Sequence, residues 1–215
     1  MPKEPLIKNE NFIFCDTALE YKDMHLGIER IEKALNIIGD PCQKIPAIQI
    51  AGTNGKGSIA TFINSVLSIV DIKTGITTSP HLVDWFERIC INTHQISSQE
   101  FNFLKEGIYP IIEKYRLTPF ESIILIALKY FSSKEVQLLI LEVGMGGRLD
   151  ATTAHKYRPI IAFGNIGLDH CEHLGNELET IATEKGAIIT PKSTVITTKQ
   201  SPTVKRILEK IVKKQ

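Results

Sequence analysis

Residues 49–63, IQIAGTNGKGSIATF, run from an apolar stretch through three glycines into a segment that opens with a lysine and a serine. The order is that of a buried strand, a tight turn and a helix. A standard phosphate-binding loop reads G-x-x-x-x-G-K followed by Ser or Thr. Here Ile50 stands where the first glycine belongs, Ala51 lies four residues before Gly55, and Gly57 separates Lys56 from Ser58. Taken alone, the segment is either a nucleotide loop or a glycine-rich strand-to-helix turn with an exposed lysine.

Outward from this stretch the pattern alternates. Strand-like runs fall at 47–52, 73–79, 136–144, 159–167 and 193–198, several of them continuously apolar, as in strands covered on both faces. Helical patterns occupy 58–70, 97–116, 119–133, 176–189 and 201–214. Ahead of them, residues 23–39 carry apolar positions 28, 31, 35 and 38 and stop at Gly39 before Pro41. Strands alternating with helices predict an α/β domain on a mostly parallel sheet.

The chain has 215 residues, 43% hydrophobic and 23% charged, enough to bury a sizeable core. A formal net charge of +1 argues against a nucleic-acid binder that works through bulk positive charge. Cys15, Cys42, Cys90 and Cys171 are scattered without zinc or disulfide spacing, which fits a reducing compartment. The polar start, MPKEPLIKNENF, and the shortness of the apolar run IILIAL predict a cytoplasmic protein with no membrane association.

In an open parallel sheet, ligands gather beyond the carboxyl ends of the strands. The runs there lead into GTNGKGS, TTSPHL, LEVGMGGRLDATT and NIGLDHCEHLG, so glycines, hydroxyls, carboxylates and histidines meet on one edge. Gly52, Gly55 and Gly57 let backbone N–H groups turn inward at a helix start, where a polyphosphate fits. Lys56 supplies a cation for the terminal phosphates, and the Ser58 hydroxyl a magnesium ligand. Glu142 ends a buried strand, where a carboxylate needs a cation or a partner. Its partner is either a metal or Arg148. Of Asp169, His170, Glu172 and His173, only His170 is read as a metal ligand, and His173 is assigned to the surface.

The segments AGTNGKGS, SPHL followed by FERI, LEVGMGGRLDAT, and LDH then EKG, in this order, resemble the folylpolyglutamate synthase and dihydrofolate synthase family of the Mur ligase superfamily. The similarity covers about residues 24–200. It implies a P-loop-containing, mostly parallel sheet flanked by helices, of the Mur ligase central-domain type. Gly52, Thr53, Asn54, Gly55, Lys56, Gly57 and Ser58 would bind the ATP phosphates. Ser58, Ser79 and Glu142 would hold one Mg2+, His170 a second, and Lys185 matches a lysine that becomes a metal-ligating carbamate in relatives. Lys56, Glu142, His170 and Lys185 form the expected catalytic set. The stretch 79–92, with His81, Leu82, Trp85, Phe86 and Arg88, matches a loop that helps hold the pteridine-bearing substrate, and Phe120 an aromatic position near its ring; plain hydrophobic packing is the other role open to Trp85, Phe86 and Phe120.

The implied reaction is ATP-dependent addition of L-glutamate to a folate or dihydropteroate carboxylate through an acyl phosphate, by a protein monomeric when complete. Residues 1–215 would then be an ATP-binding domain, incomplete at its C-terminus and without the family's C-terminal ligase domain. A non-catalytic ATP-binding fragment, a cell-wall Mur-type amino acid ligase and a purely structural protein are the alternatives. The sequence departs from the family at Thr153, where asparagine is usual, at Gly164–Asn165, where a Thr-Ser pair is common, and at Gly186–Ala187, which inverts the usual order.

Overall fold

The computed structural model describes residues 27–215. Cys15 and the first four residues of the 23–39 pattern lie outside them. Helix α1 (Glu29–Ile37) leads to the central strand β1 (Ala47–Ala51), which is buried throughout. Next come α2 (Lys56–Ile69), β2 (Thr74–Thr77), a 3-10 turn at Trp85–Arg88, and two short strands, β3 (Ile89–Ile91) and β4 (His94–Gln95). The helices α3 (Ser98–Tyr115) and α4 (Pro119–Ser133) precede β5 (Leu138–Glu142). A second 3-10 turn (Ala151–Ala154), β6 (Ile160–Phe163), α5 (Cys171–Leu174), α6 (Leu178–Gly186), β7 (Thr194–Thr197) and α7 (Pro202–Val212) complete the chain.

The sheet has seven strands in the order β4-β3-β2-β5-β1-β6-β7. Strands β2, β5, β1, β6 and β7 are parallel, and β3 and β4 run antiparallel at one edge. The edge hairpin departs from the expectation that 79–92 is a substrate loop, because Ile89–Ile91 instead pairs with β2. Two helix starts are fixed by sequence alone. Ser97 and Thr118 form reciprocal capping boxes with Glu100 and Glu121, and Pro119 fills the first turn of α4, where its missing N–H is no loss.

Alternate residues of each strand divide between the two faces. Ala47, Leu139 and Leu141 pack under α1, α3 and α4, and Ile161 and Phe163 under α6 and α7. Ile48, Ile50, Ile76 and Ile140 face the other way, toward α2. Glu142 shares the parity of Ile140, so the last side chain of β5 emerges beneath the first turn of α2.

Candidate active site

The turns after β1, β2, β5 and β6 open on one cavity of about 330 Å3 at the carboxyl edge of the sheet. Thr53, Asn54 and Lys56 enter it from the first turn, Ser79 from the second, Gly144 and Asp150 from the third, and Asp169 and His170 from the fourth. Arg88 and Phe120 close the far side. The convergence expected from the strand rule is therefore present in space.

Helix α2 begins at Lys56, directly after Gly55, whose φ of 80° is left-handed and suits glycine. At Gly52 and Gly164 two chain segments touch backbone to backbone. A Cβ on Gly52 would lie 3.1 Å from the Cα of Gly164, and one on Gly164 would lie 2.9 Å from the Asn54 carbonyl oxygen. Thr53 N donates to the Asn165 carbonyl at 2.7 Å, and the Thr53 hydroxyl exchanges hydrogen bonds with both backbone groups of Gly167. Asn54 and Asn165 form an isolated antiparallel bridge. In this chain a larger residue at 164 would press on the phosphate loop unless the loop shifted.

Glu142 is buried, and the amides of Ser79 (3.0 Å) and Gly57 donate to its carboxylate. Burial raises its pKa, while these amides and the Lys56 ammonium pull the other way. Arg148 is not its partner. The guanidinium turns outward to Glu184, at 3.0 Å on the surface. A magnesium ion on nucleotide phosphates takes one or two protein carboxylates and completes its shell with phosphate and water. A buried carboxylate with no ion-pair partner among the described residues, set beneath the loop amides, fits that demand. Among the described residues no three His, Cys, Asp or Glu side chains converge into an independent metal centre.

Lys185 is almost fully buried and donates to the Gly52 carbonyl at 3.0 Å. Desolvation, helped by the Lys56 charge, lowers its pKa to about 8. Its neighbour Gly186 lies where a Cβ would come within 2.6 Å of Ile211, so glycine there lets α7 pack closely on α6. Thr153 accepts from Gln49 Nε2 (2.9 Å) and donates to the Gly147 carbonyl (2.8 Å), so the hydroxyl is satisfied on both sides. Beside it, Asp150 takes the amides of Gly144 and Met145 on one carboxylate oxygen and the amide and hydroxyl of Thr152 on the other. Sequence reasoning missed Asp150 as a site residue, although a carboxylate three residues after the last glycine of the turn was a usable signal.

The predicted substrate-side residues separate into groups. Arg88 is buried, donates from Nε to His81 Nδ1 at 2.9 Å and lies 4.2 Å from the Trp85 ring, so His81 and Trp85 hold Arg88 at the cavity. Phe120 packs against the backbone at Gly144, where a Cβ would be 2.8 Å from the ring. Phe86 instead packs on Phe101 at 5.1 Å, as a core residue. Leu82 is 93% exposed and does not line the cavity; its amide donates to Glu87. His170 sits at the start of α5 with Asp169 Oδ2 3.5 Å from its Nε2, while His173 is exposed.

Comparison with known proteins gives these features a context. A family model described as the Mur ligase middle domain matches residues 50–215. A probable dihydrofolate synthetase of Schizosaccharomyces pombe is 39% identical over 167 residues, covering 77% of this chain and 40% of the relative. The dihydrofolate synthase/folylpolyglutamate synthase of Bacillus subtilis is 37% identical over 171 residues, covering 76% and 39%. Among solved structures, Mycobacterium tuberculosis folylpolyglutamate synthase complexed with ADP superimposes with a TM-score of 0.84 at 31% identity, over 92% of this chain and 47% of that one. The chain spans less than half the length of each of these relatives. With the middle-domain pattern running over most of its residues and its sheet laid out as in a solved member, this protein belongs to the Mur ligase family.

Proposed function

We propose that residues 1–215 form the ATP-binding domain of a ligase that joins L-glutamate to a carboxylate of a folate or dihydropteroate. The observation that carries this is the apposition, across one cavity, of a lysine-bearing glycine loop over a buried carboxylate with an arginine and an aromatic ring opposite. The first side suits a polyphosphate, and the second suits a flat, anionic substrate. The relatives named as folylpolyglutamate and dihydrofolate synthases support the same chemistry.

In this scheme the loop amides of 52–58 and Lys56 hold the phosphates and neutralise charge as the substrate carboxylate attacks the γ-phosphorus. That gives an acyl phosphate and ADP. Phosphoryl transfer depends mainly on positioning and electrostatics, which the preformed loop supplies. The L-glutamate amine then displaces phosphate to form the amide. Ser58, Ser79 and Glu142 would hold one Mg2+, and His170 with a carbamylated Lys185 a second; such ions would supply positive charge that offsets the phosphates. An amine lowered to about 8 is partly neutral at physiological pH, which is what reaction with CO2 requires. Arg88 and Phe120 would orient the acceptor. A monomer in the cytoplasm, with no nucleic-acid or membrane partner, is part of the proposal; among the described residues no helix is long and apolar enough to cross a membrane.

The test is incubation of the purified chain with Mg-ATP, L-glutamate and either dihydropteroate or a reduced folate, with mass spectrometry for a product heavier by one glutamyl unit. Because the chain matches less than half of each relative, nucleotide binding without turnover is the second reading. Product formation supports the ligase. Tight ADP binding without product supports the second reading, and absence of both refutes the nucleotide site.

A further inference from the structure

Gln200 lies between the end of β7 and the start of α7, outside every motif that points to nucleotide binding. Both edges of its side-chain amide are used. Nε2 donates to the Gly164 carbonyl at 2.7 Å and to the Thr197 hydroxyl at 2.9 Å, while Oε1 accepts from Ile166 N at 3.1 Å. Reversing the amide would set oxygen against a carbonyl and NH2 against an N–H, so the network fixes its orientation. Gly164 and Ile166 flank Asn165, the residue whose carbonyl takes the Thr53 amide and which bridges Asn54. Gln200 therefore grips the segment 164–167 from behind at the point where that segment braces the glycine loop. The same segment continues to Asp169 and His170 at the cavity.

We propose that Gln200 is a positioning residue for nucleotide binding, holding the 164–167 segment so that Thr53 and Asn54 keep the phosphate loop in its binding shape. An amide is suited to the task because one planar group supplies two donors and one acceptor, which neither a carboxylate nor a hydrocarbon can do. Capping of the following helix is not its job: Ser201 does that, accepting from Val204 N at 3.4 Å. The inference rests on residues 52–58 binding nucleotide.

The experiment is calorimetric titration of the 215-residue chain with Mg-ADP, alongside amide hydrogen exchange of Thr53 and thermal melting, for the parent, Gln200→Met and Ser201→Ala. Methionine keeps the volume of glutamine and removes its hydrogen bonds. Gln200→Met is expected to weaken ADP on the order of tenfold and to speed Thr53 exchange. Ser201→Ala, which removes a helix cap, is expected to lower the melting temperature and leave ADP affinity within about twofold. ADP affinity of Gln200→Met equal to the parent overturns the proposal, as does an equal loss in Ser201→Ala, which would mark general destabilisation. A parent chain that binds no ADP removes the nucleotide site itself, an outcome distinct from parent and variant binding alike.

Discussion

Replacing Gly164 by alanine places a methyl group 2.9 Å from the Asn54 carbonyl oxygen, inside normal van der Waals contact; the carbonyl is backbone and the methyl is fixed directly to it at 164. No side-chain rotamer can move aside, so the phosphate loop must shift by a few tenths of an ångström. Overpacking of this kind costs about 2 kcal/mol. For a chain of this size that lowers the melting temperature by roughly 4–8 °C. The displaced Asn54 also strains the Thr53–Asn165 hydrogen bond, so ADP affinity should fall with stability. Gly107 is the control. It lies exposed within α3 with nothing within 4 Å of a Cβ, so Gly107→Ala should stabilise by up to about 1 kcal/mol through helix propensity alone. Thermal melts and ADP titrations of the two variants check both signs. A Gly164→Ala protein that melts and binds like the parent would refute the close contact as a constraint on the loop.

Lys56→Ala should reduce ADP affinity ~10- to 100-fold, the range for loss of charge-assisted contacts, whereas Cys171→Ala should bind as the parent does in the same titration; equal losses would sink the assignment. Between pH 8 and 10.5 the unfolded chain retains the Lys185 proton that the folded chain has released, so this residue makes stability rise with pH across that window by about 3 kcal/mol, with no further dependence below about 8, where both states hold the proton. In Lys185→Met that part of the slope should vanish; denaturant midpoints at both ends of the window measure it, and an unchanged slope contradicts the depressed pKa. Asp150→Asn should destabilise by about 2 kcal/mol, because each carboxylate oxygen meets two donors and an amide NH2 must face one such pair. A melting temperature equal to the parent's would show that the turn after β5 does not depend on this carboxylate.

The parallel core was legible because β6 is a continuous apolar run and β1 and β5 are apolar but for Gln49 and Glu142, and their loops carry glycines and charges where strand polarity puts ligands. The edge hairpin was not, since Ile89–Ile91 and His94–Gln95 are too short to show a period and are held as strands only by pairing with β2 and with each other. Lys56 and Glu142 could be placed from their motifs. The fate of Arg148 could not, because its partner Glu184 is 36 positions away on helix α6. Phe86 and Phe120 are the same residue type and both pack against the core under α3 and α4, but only Phe120 also lines the cavity, a difference that three-dimensional packing alone decides. Gln200 carried no local signal, as its role exists only once β6 and β7 lie side by side.

Side chains that touch can yield by changing rotamer, and most protein contacts have that slack. The contact of Gly52 with Gly164 has none, because it joins main chain to main chain. A displacement of the glycine loop would have to carry the segment leading to Asp169 and His170 with it or break the Thr53–Asn165 and Gly164–Ala51 backbone hydrogen bonds. The two segments are thus joined first through main chain, and the side chains of Thr53 and Gln200 hold a spacing between the phosphate-facing amides and His170 that the backbone contact has already narrowed.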